Sequence, residues 1–192
     1  MQHTAGVPRL IPLFDFDGTL VDSDLALTAP FRHLGVEATR IPPLGLPLPE
    51  ACERAGITVA AYLEHYDPGA ARPFPGVVDL LARLDRWGLA SNKERTSGRR
   101  ELARLGWTPE VALFCDDFGG AEKQLGPLLE VLHLRPDEVL CVGDTAHDRA
   151  CAAAIGAPFA LAGWNARARR RAEPEDVVLA APADVLDLLA GR

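Results

Sequence analysis

Apolar residues recur along this chain with two different spacings. Short uninterrupted apolar runs at 10–14, 89–90, 111–114, 139–142, 158–161 and 177–179 read as buried strands. Between them, Val77, Leu80, Leu81 and Leu84 lie at helical spacing and predict an amphipathic helix that Gly88 stops. Further helices are expected through Leu102 and Leu105 to Gly106, over 125–134 after the Gly119-Gly120 turn, over the Ala-rich 151–155, and over 183–189. Strands alternating with helices imply an α/β fold, with a Rossmann-like, doubly wound and mostly parallel sheet covered on both faces. An interior strand seldom tolerates proline, so Pro12 is expected to mark the start of the first one.

Residues 21–74 break this alternation. Ser23 or Asp24 is placed to cap a helix toward Leu34, which Pro30 should kink or shorten. The stretch 41–49 carries four prolines and is no regular element. Residues 50–55 and 58–66 read as short helices, the second capped by Thr58 and ended by Asp67-Pro68-Gly69. No strand pattern is visible. The expected organisation is a core of residues 9–20 and 75–192 carrying a small α-helical cap over 21–74.

Composition narrows the picture. A chain of 192 residues with 48% apolar residues can bury a real core, and its length fits one domain with a small insertion. The net charge of −7 argues against nucleic acid as a partner. Cys52, Cys115, Cys141 and Cys151 show no CxxC spacing and read as buried thiols of a reducing compartment. No apolar run reaches the roughly 18 residues that cross a bilayer, so no membrane partner is expected. Residues 1–8 show no secretory leader, which makes the cytoplasm the expected location. Lys93 and Lys123 are the only lysines among 20 Lys and Arg residues; codon bias is one source of such arginine dominance, and the other reading makes each lysine a candidate for a place where a compact point charge is not replaceable by a planar fork.

The chemistry gathers at strand ends. Asp15 and Asp17 alternate with Phe16, so both carboxylates point into the crevice where open α/β sheets bind ligands. Two like charges 4 Å apart cost roughly 4 kcal/mol at an effective dielectric of 20, so the pair implies a proton, a cation or both. Gly18 permits a tight turn that brings N–H groups toward an anion. Ser91, Asn92 and Lys93 offer a hydroxyl and N–H groups at an expected helix start, a way to hold phosphate oxygens. Lys123 lies near the start of the next helix, against its dipole. Asp144 and Asp148 follow a buried strand at i, i+4, where both can approach one hard cation. Each cluster has an ordinary alternative: an Asp-Gly turn, a serine cap, a solvated lysine, a helix cap by Asp144 or Thr145. Their order along one chain is what argues for a site.

In that order they resemble the four motifs of the haloacid dehalogenase-like hydrolase superfamily, and most of all its phosphoglycolate phosphatase-like branch. The motifs are Asp15-Phe16-Asp17-Gly18-Thr19, then Ser91 with Asn92 and Lys93, then Lys123, then Gly143-Asp144-Thr145 with Asp148. Residues 73–77 are similar to that family's return from a type-1 helical cap. The resemblance implies a phosphatase acting on a small phosphorylated metabolite. Asp15 would be the nucleophile and Asp17 the general acid and base. Mg²⁺ would lie between Asp15, the Asp17 carbonyl, Asp144 and Asp148. Ser91, the Asn92 and Gly18 N–H groups and Lys123 would bind the phosphoryl oxygens, with Thr19 steadying the loop and Lys93 one step removed.

Asp17 disfavours a haloacid dehalogenase, and the absence of lysine in 21–74 excludes a Schiff-base phosphonatase. A sugar-phosphate mutase on the same core, or a catalytically weak binding module, stays open. Arg32, His33, Arg40, His65 and Tyr66 are the cap residues available to meet a leaving group, and the oligomeric state is not legible.

Overall fold

The computed structural model describes residues 10–191. Residues 1–8, read above for a leader, and the outermost positions 9 and 192 of the expected core lie outside the described residues. Six strands form one sheet in the order β5-β4-β1-β6-β7-β8, every neighbouring pair parallel. They are β1 (Ile11–Phe14), β4 (Gly88–Ala90), β5 (Val111–Leu113), β6 (Val139–Gly143), β7 (Phe159–Leu161) and β8 (Val177–Val178). The chain leaves β1, builds outward on one side through β4 and β5, then crosses to β6 on the other. That reversal beside β1 opens the ligand crevice of a doubly wound sheet, as expected.

Strand alternation feeds two cores at once. Leu13, Ala90, Val139 and Cys141 face one apolar cluster, whereas Phe14, Leu89, Leu140 and Val142 face the other. All four cysteines are buried and free. Pro12 is tolerated in a central strand because of where β4 begins. Asp15 donates its N–H to Val142 on β6, so by alternation position 12 faces β4, and β4 pairs only from Leu13 onward. The missing N–H therefore falls beyond the end of that ladder.

The segment after β1 holds α1 (Asp24–His33), α2 (Leu48–Ala55) and α3 (Val59–His65). Thr58 caps α3 by accepting from Ala61 N–H. Pro30 does not break α1: it sits inside the helix and is buried. The expectation of no strand here is corrected. β2 (Val21–Asp22) and β3 (Arg72–Pro73) pair antiparallel into a two-residue ribbon at the mouth of the insertion. Buried Ala26, Phe31, Tyr62 and Tyr66 join the same apolar cluster as Phe14 and Leu89, so packing is continuous from sheet to helices.

The remaining helices are α4 (Val77–Leu81), α5 (Arg95–Leu105), α6 (Gly126–Leu132), α7 (Ala146–Ile155), α8 (Ala166–Arg169) and α9 (Asp184–Leu189). α4 is shorter than its apolar spacing suggested, ending well before Gly88. Gly106 closes α5 in the left-handed conformation. Among the described residues, no helix is long and apolar enough to cross a membrane.

Gly98 is buried in α5, and a Cβ built on it would lie 2.1 Å from the ring of fully buried Phe114. Ala is ordinarily better than Gly inside a helix by about 1 kcal/mol. Here overpacking reverses the sign: Gly98→Ala is expected to destabilise by about 1–3 kcal/mol in urea denaturation. A stabilised variant would show that Phe114 yields its place freely.

Candidate active site

Four chain segments deliver polar side chains to the carboxyl end of the sheet. The turn after β1 brings Asp15 and Asp17, the end of β4 brings Ser91 and Asn92, and the end of β6 brings Asp144. Asp148 comes from the first turn of α7, and Lys123 from the loop three residues ahead of α6. All seven line one chamber with an empty volume of about 850 Å³, its open mouth included.

Three cations each bridge two acids there. Lys123 Nζ contacts Asp15 and lies 2.5 Å from Asp148 Oδ1. Lys93 Nζ lies 2.9 Å from Asp17 and 3.1 Å from Glu101. Arg167 Nη2 lies 2.9 Å from Asp144 and 3.2 Å from Asp24 at the start of α1. Both lysine side chains are at most 5% exposed, where Coulomb attraction is far stronger than in water.

The titration behaviour follows. Burial pushes the Asp15 carboxyl well above its ordinary value against the pull of Lys123, with Asp148 and Asp144 pushing the same way. Burial and the neighbouring Asp148 raise Asp144 to about 7. Burial also opposes ionisation of Asp148, but Lys123 and the Thr145 hydrogen bonds outweigh it and hold the group below the usual range. Burial would lower Lys123, yet Asp148 and Asp15 hold it well above the usual ammonium value.

Asp148 combines two of the readings made from sequence. Its Oδ2 accepts from the N–H groups of Asp144 and Thr145 at 3.1 and 2.9 Å and closes a capping box with Thr145, while Oδ1 faces Lys123. One oxygen secures the helix, and the other serves the chamber. Asp15, Asp144 and Asp148 each offer a carboxylate oxygen within 4.8 Å of the others. An all-oxygen set of this kind suits a hard divalent cation. The cradle is cut for these acids, since a Cβ on Gly18 would lie 2.4 Å from Asp144 Oδ2 and one on Gly143 would lie 2.3 Å from Asp148 Cβ. The Asp17 carboxylate is not in this group and turns to Lys93.

Two expectations are corrected. The Gly18 N–H donates to the Val21 carbonyl at 2.8 Å and is spent on the turn, so Gly18 acts through its φ of 87° and its missing Cβ. Ser91 does not start a helix, because Glu94 caps α5 by accepting from Thr96 and Ser97 N–H. Ser91 Oγ instead accepts from Lys93 N–H at 3.1 Å, and Ser91 N–H extends the ladder to the Leu113 carbonyl. Asn92 uses its side chain as a tie. Nδ2 donates to the Gly45 carbonyl and Oδ1 accepts from Lys123 N–H, both at 2.6 Å. Thr19 donates to Asp144 at 3.4 Å.

Sequence reasoning missed three participants. Arg167 sits in the arginine-rich run 166–172, which by sequence reads as a solvated helix or an exposed basic loop, and only the chain's return after β7 brings it to Asp144. Asn165 donates to the Gly18 carbonyl at 2.8 Å and to Asp144 at 3.4 Å. Glu101, fully buried in α5, takes both Lys93 and the Tyr66 hydroxyl on Oε1, while its Oε2 has no hydrogen-bond partner among the described residues.

The comparisons with known proteins agree with this geometry. A family model described as haloacid dehalogenase-like hydrolase matches residues 12–162. A phosphoglycolate phosphatase of Xylella fastidiosa (strain Temecula1) is 30% identical, with 83% of this chain and 82% of that protein covered. One of Mesorhizobium japonicum is 27% identical, with 88% and 90% covered. Among solved structures, a haloacid dehalogenase-like protein from Bacteroides fragilis superposes with a TM-score of 0.73 at 25% identity, over 91% of this chain and 98% of that one.

Tyr66→Phe removes one of the two hydrogen-bonding groups on a buried carboxylate. It is expected to cost about 1–3 kcal/mol, read as a lower urea midpoint at an unchanged m-value. An equal midpoint would show that Glu101 finds its second partner elsewhere.

Proposed function

We propose that this chain, which belongs to the haloacid dehalogenase-like hydrolase family, is a Mg²⁺-dependent phosphatase of small phosphate monoesters working through an aspartyl-phosphate on Asp15. The observation that carries this reading is the convergence of Asp15, Asp17, Ser91, Lys123, Asp144 and Asp148 on one chamber. Asp15, Asp144 and Asp148, with the Asp17 carbonyl, would hold the Mg²⁺, which when bound offsets the repulsion between these acids and a dianionic phosphate.

The chain's own groups account for the rest. An Asp15 carboxylate oxygen attacks phosphorus, forming the acyl phosphate as the bond to the leaving oxygen breaks. Asp17 gives that oxygen its proton, so an alcohol departs. Water then attacks phosphorus, Asp17 takes its proton, and the bond to Asp15 breaks to release orthophosphate and restore the carboxylate. Lys93 keeps Asp17 turned into the chamber. Lys123, the Ser91 hydroxyl and the Asn92 N–H meet the phosphoryl oxygens. The substrate is a small phosphorylated metabolite, with neither nucleic acid nor membrane as partner, and the location is cytoplasmic. The organisation is a core of 9–20 and 75–192 with the cap at 21–74.

Activity on phosphate monoesters is expected to vanish in excess chelator and return with Mg²⁺. Mg²⁺ at 100 times its Kd should also stabilise the fold by about 2.7 kcal/mol in denaturant titrations. Full activity in chelator, with no Mg²⁺-dependent shift of the midpoint, would remove the metal from the mechanism.

Asp17→Asn keeps the nucleophile and loses the proton donor and the base for water. With an activated aryl phosphate, whose leaving group needs little protonation, the first step should outlast the second. An acid quench followed by intact-mass measurement is expected to show one added phosphoryl group, mapped to Asp15 and lost to hydroxylamine. Asp15→Asn should give neither adduct nor product. Phosphate found on Ser91, or steady turnover by Asp15→Asn, would overturn the scheme.

A further inference from the structure

Beyond the phosphoryl end, the chamber has a second half contributed by the helical segment, and apart from Asp24 at the start of α1 and the two tyrosine hydroxyls its chemistry is apolar. Leu27 and Phe31 of α1, Leu46 of the proline-rich loop, Leu48 and Ala51 of α2, and Tyr62 of α3 line it. The polar tips nearby are engaged with the protein. The Tyr62 hydroxyl donates to the Leu27 carbonyl at 2.9 Å, and the Tyr66 hydroxyl is bound to Glu101. The Thr145 hydroxyl donates to Asp148 at 2.6 Å, and the Asn92 amide is tied to Gly45 and Lys123.

The charges give the same answer. Lys93, Lys123 and Arg167 each already bridge two acids. His147, the remaining basic residue of the lining, lies 3.5 Å from Glu122 and 3.4 Å from the Cys151 thiol. The basic residues of the cap stand elsewhere. Arg32, His33, Arg40, Arg54, His65 and Arg72 are exposed and outside the lining, and the rings of His33 and His65 pack against each other at a tilt of 33° with centroids 4.1 Å apart. With Mg²⁺ on Asp15, Asp144 and Asp148 and Lys123 given to the phosphoryl oxygens, Arg167 still holds Asp24 and Lys93 still holds Asp17 and Glu101, so a carboxylate on the leaving group would compete with an acid already in place for each of these cations. A polyol would lose its hydration to a wall whose hydroxyls and amides are occupied.

We infer that the leaving alcohol of the substrate is uncharged and hydrocarbon-like, seated against Leu27, Phe31, Leu46, Leu48 and Tyr62, and that the chamber discriminates against carboxylated esters such as phosphoglycolate. The inference rests on the phosphatase reading above and narrows its substrate class. It also separates this chain in specificity from the relatives whose names specify phosphoglycolate.

The test compares wild-type enzyme, with Mg²⁺, on 4-methylpentyl phosphate and 4-phosphooxybutanoate. Their leaving ends have the same branched shape, isopropyl in one and carboxylate in the other. Glycerol 3-phosphate and phosphoglycolate serve as further arms. The expected result is a kcat/KM for 4-methylpentyl phosphate at least about tenfold above each of the others, the scale on which apolar pockets discriminate. Equal or higher kcat/KM for phosphoglycolate or 4-phosphooxybutanoate overturns the inference and leaves the phosphatase reading standing. Absence of turnover on all four, and on an activated aryl phosphate, overturns the phosphatase reading and the inference together. Leu46→Lys, placed on a loop and checked for fold by circular dichroism, is expected to move the 4-methylpentyl to 4-phosphooxybutanoate ratio at least about fivefold toward the carboxylate. An unchanged ratio in the folded variant would mean that the leaving group lies elsewhere.

Discussion

The structure depends on holding several carboxylates together out of water. Asp15, Asp17, Asp144 and Asp148 share one chamber, and Glu101 is sealed directly behind it. Left alone, such a group would protonate or open the fold, because burial of an unpaired charge is among the most expensive arrangements available to a chain. The solution here is economical in cations. Each of Lys93, Lys123 and Arg167 is placed between two acids, so three positive charges organise six carboxylates across four chain segments. The cost of removing any one cation is correspondingly shared by two acids. A lysine suits the deeper positions because its compact ammonium can sit between carboxylates that do not lie in one plane.

The elements around the chamber are what such a cluster requires. The first acid follows a strand buried on both faces, and the fourth motif follows another, so neither backbone can drift without disturbing both cores. Gly18 and Gly143 remove the Cβ atoms that would collide with Asp144 and Asp148. Asn165 and Trp164 then pin the carbonyls of Gly18 and Thr19 at 2.8 and 2.9 Å, fixing the turn from the segment that follows β7.

Much of this is legible in the chain, and the reason is local. An apolar run ending in Asp-x-Asp-Gly, or in Gly-Asp with a second acid four residues on, states both the element and the place where it stops. The two lysines stand out against an arginine background, and both proved to be the buried ones. What could not be read depends on distant partners. Arg167 looks like any arginine of a solvated run, and only the return of the chain past β7 carries it to Asp144. Glu101 occupies one charged position among several on α5, and nothing in its neighbours says that Lys93 and Tyr66 will close over it. The two residues each of β2 and β3 are too few for any period to register. The Gly18 N–H was misread because its partner, Val21, lies just past the motif.

The short ribbon of Val21–Asp22 against Arg72–Pro73 sets the terms on which this molecule can change. Because the two ends of the helical segment leave the core side by side, already hydrogen-bonded, closing them depends little on how much chain runs between them. Doubling the length of a flexible connection adds only about 0.6 kcal/mol of closure entropy. Material can be gained or lost between Ser23 and Ala71 as long as Asp24, Gly45 and Tyr66 keep their ties to Arg167, Asn92 and Glu101. The wall that meets the leaving group is therefore free to drift in sequence and size at a rate the phosphoryl end cannot follow.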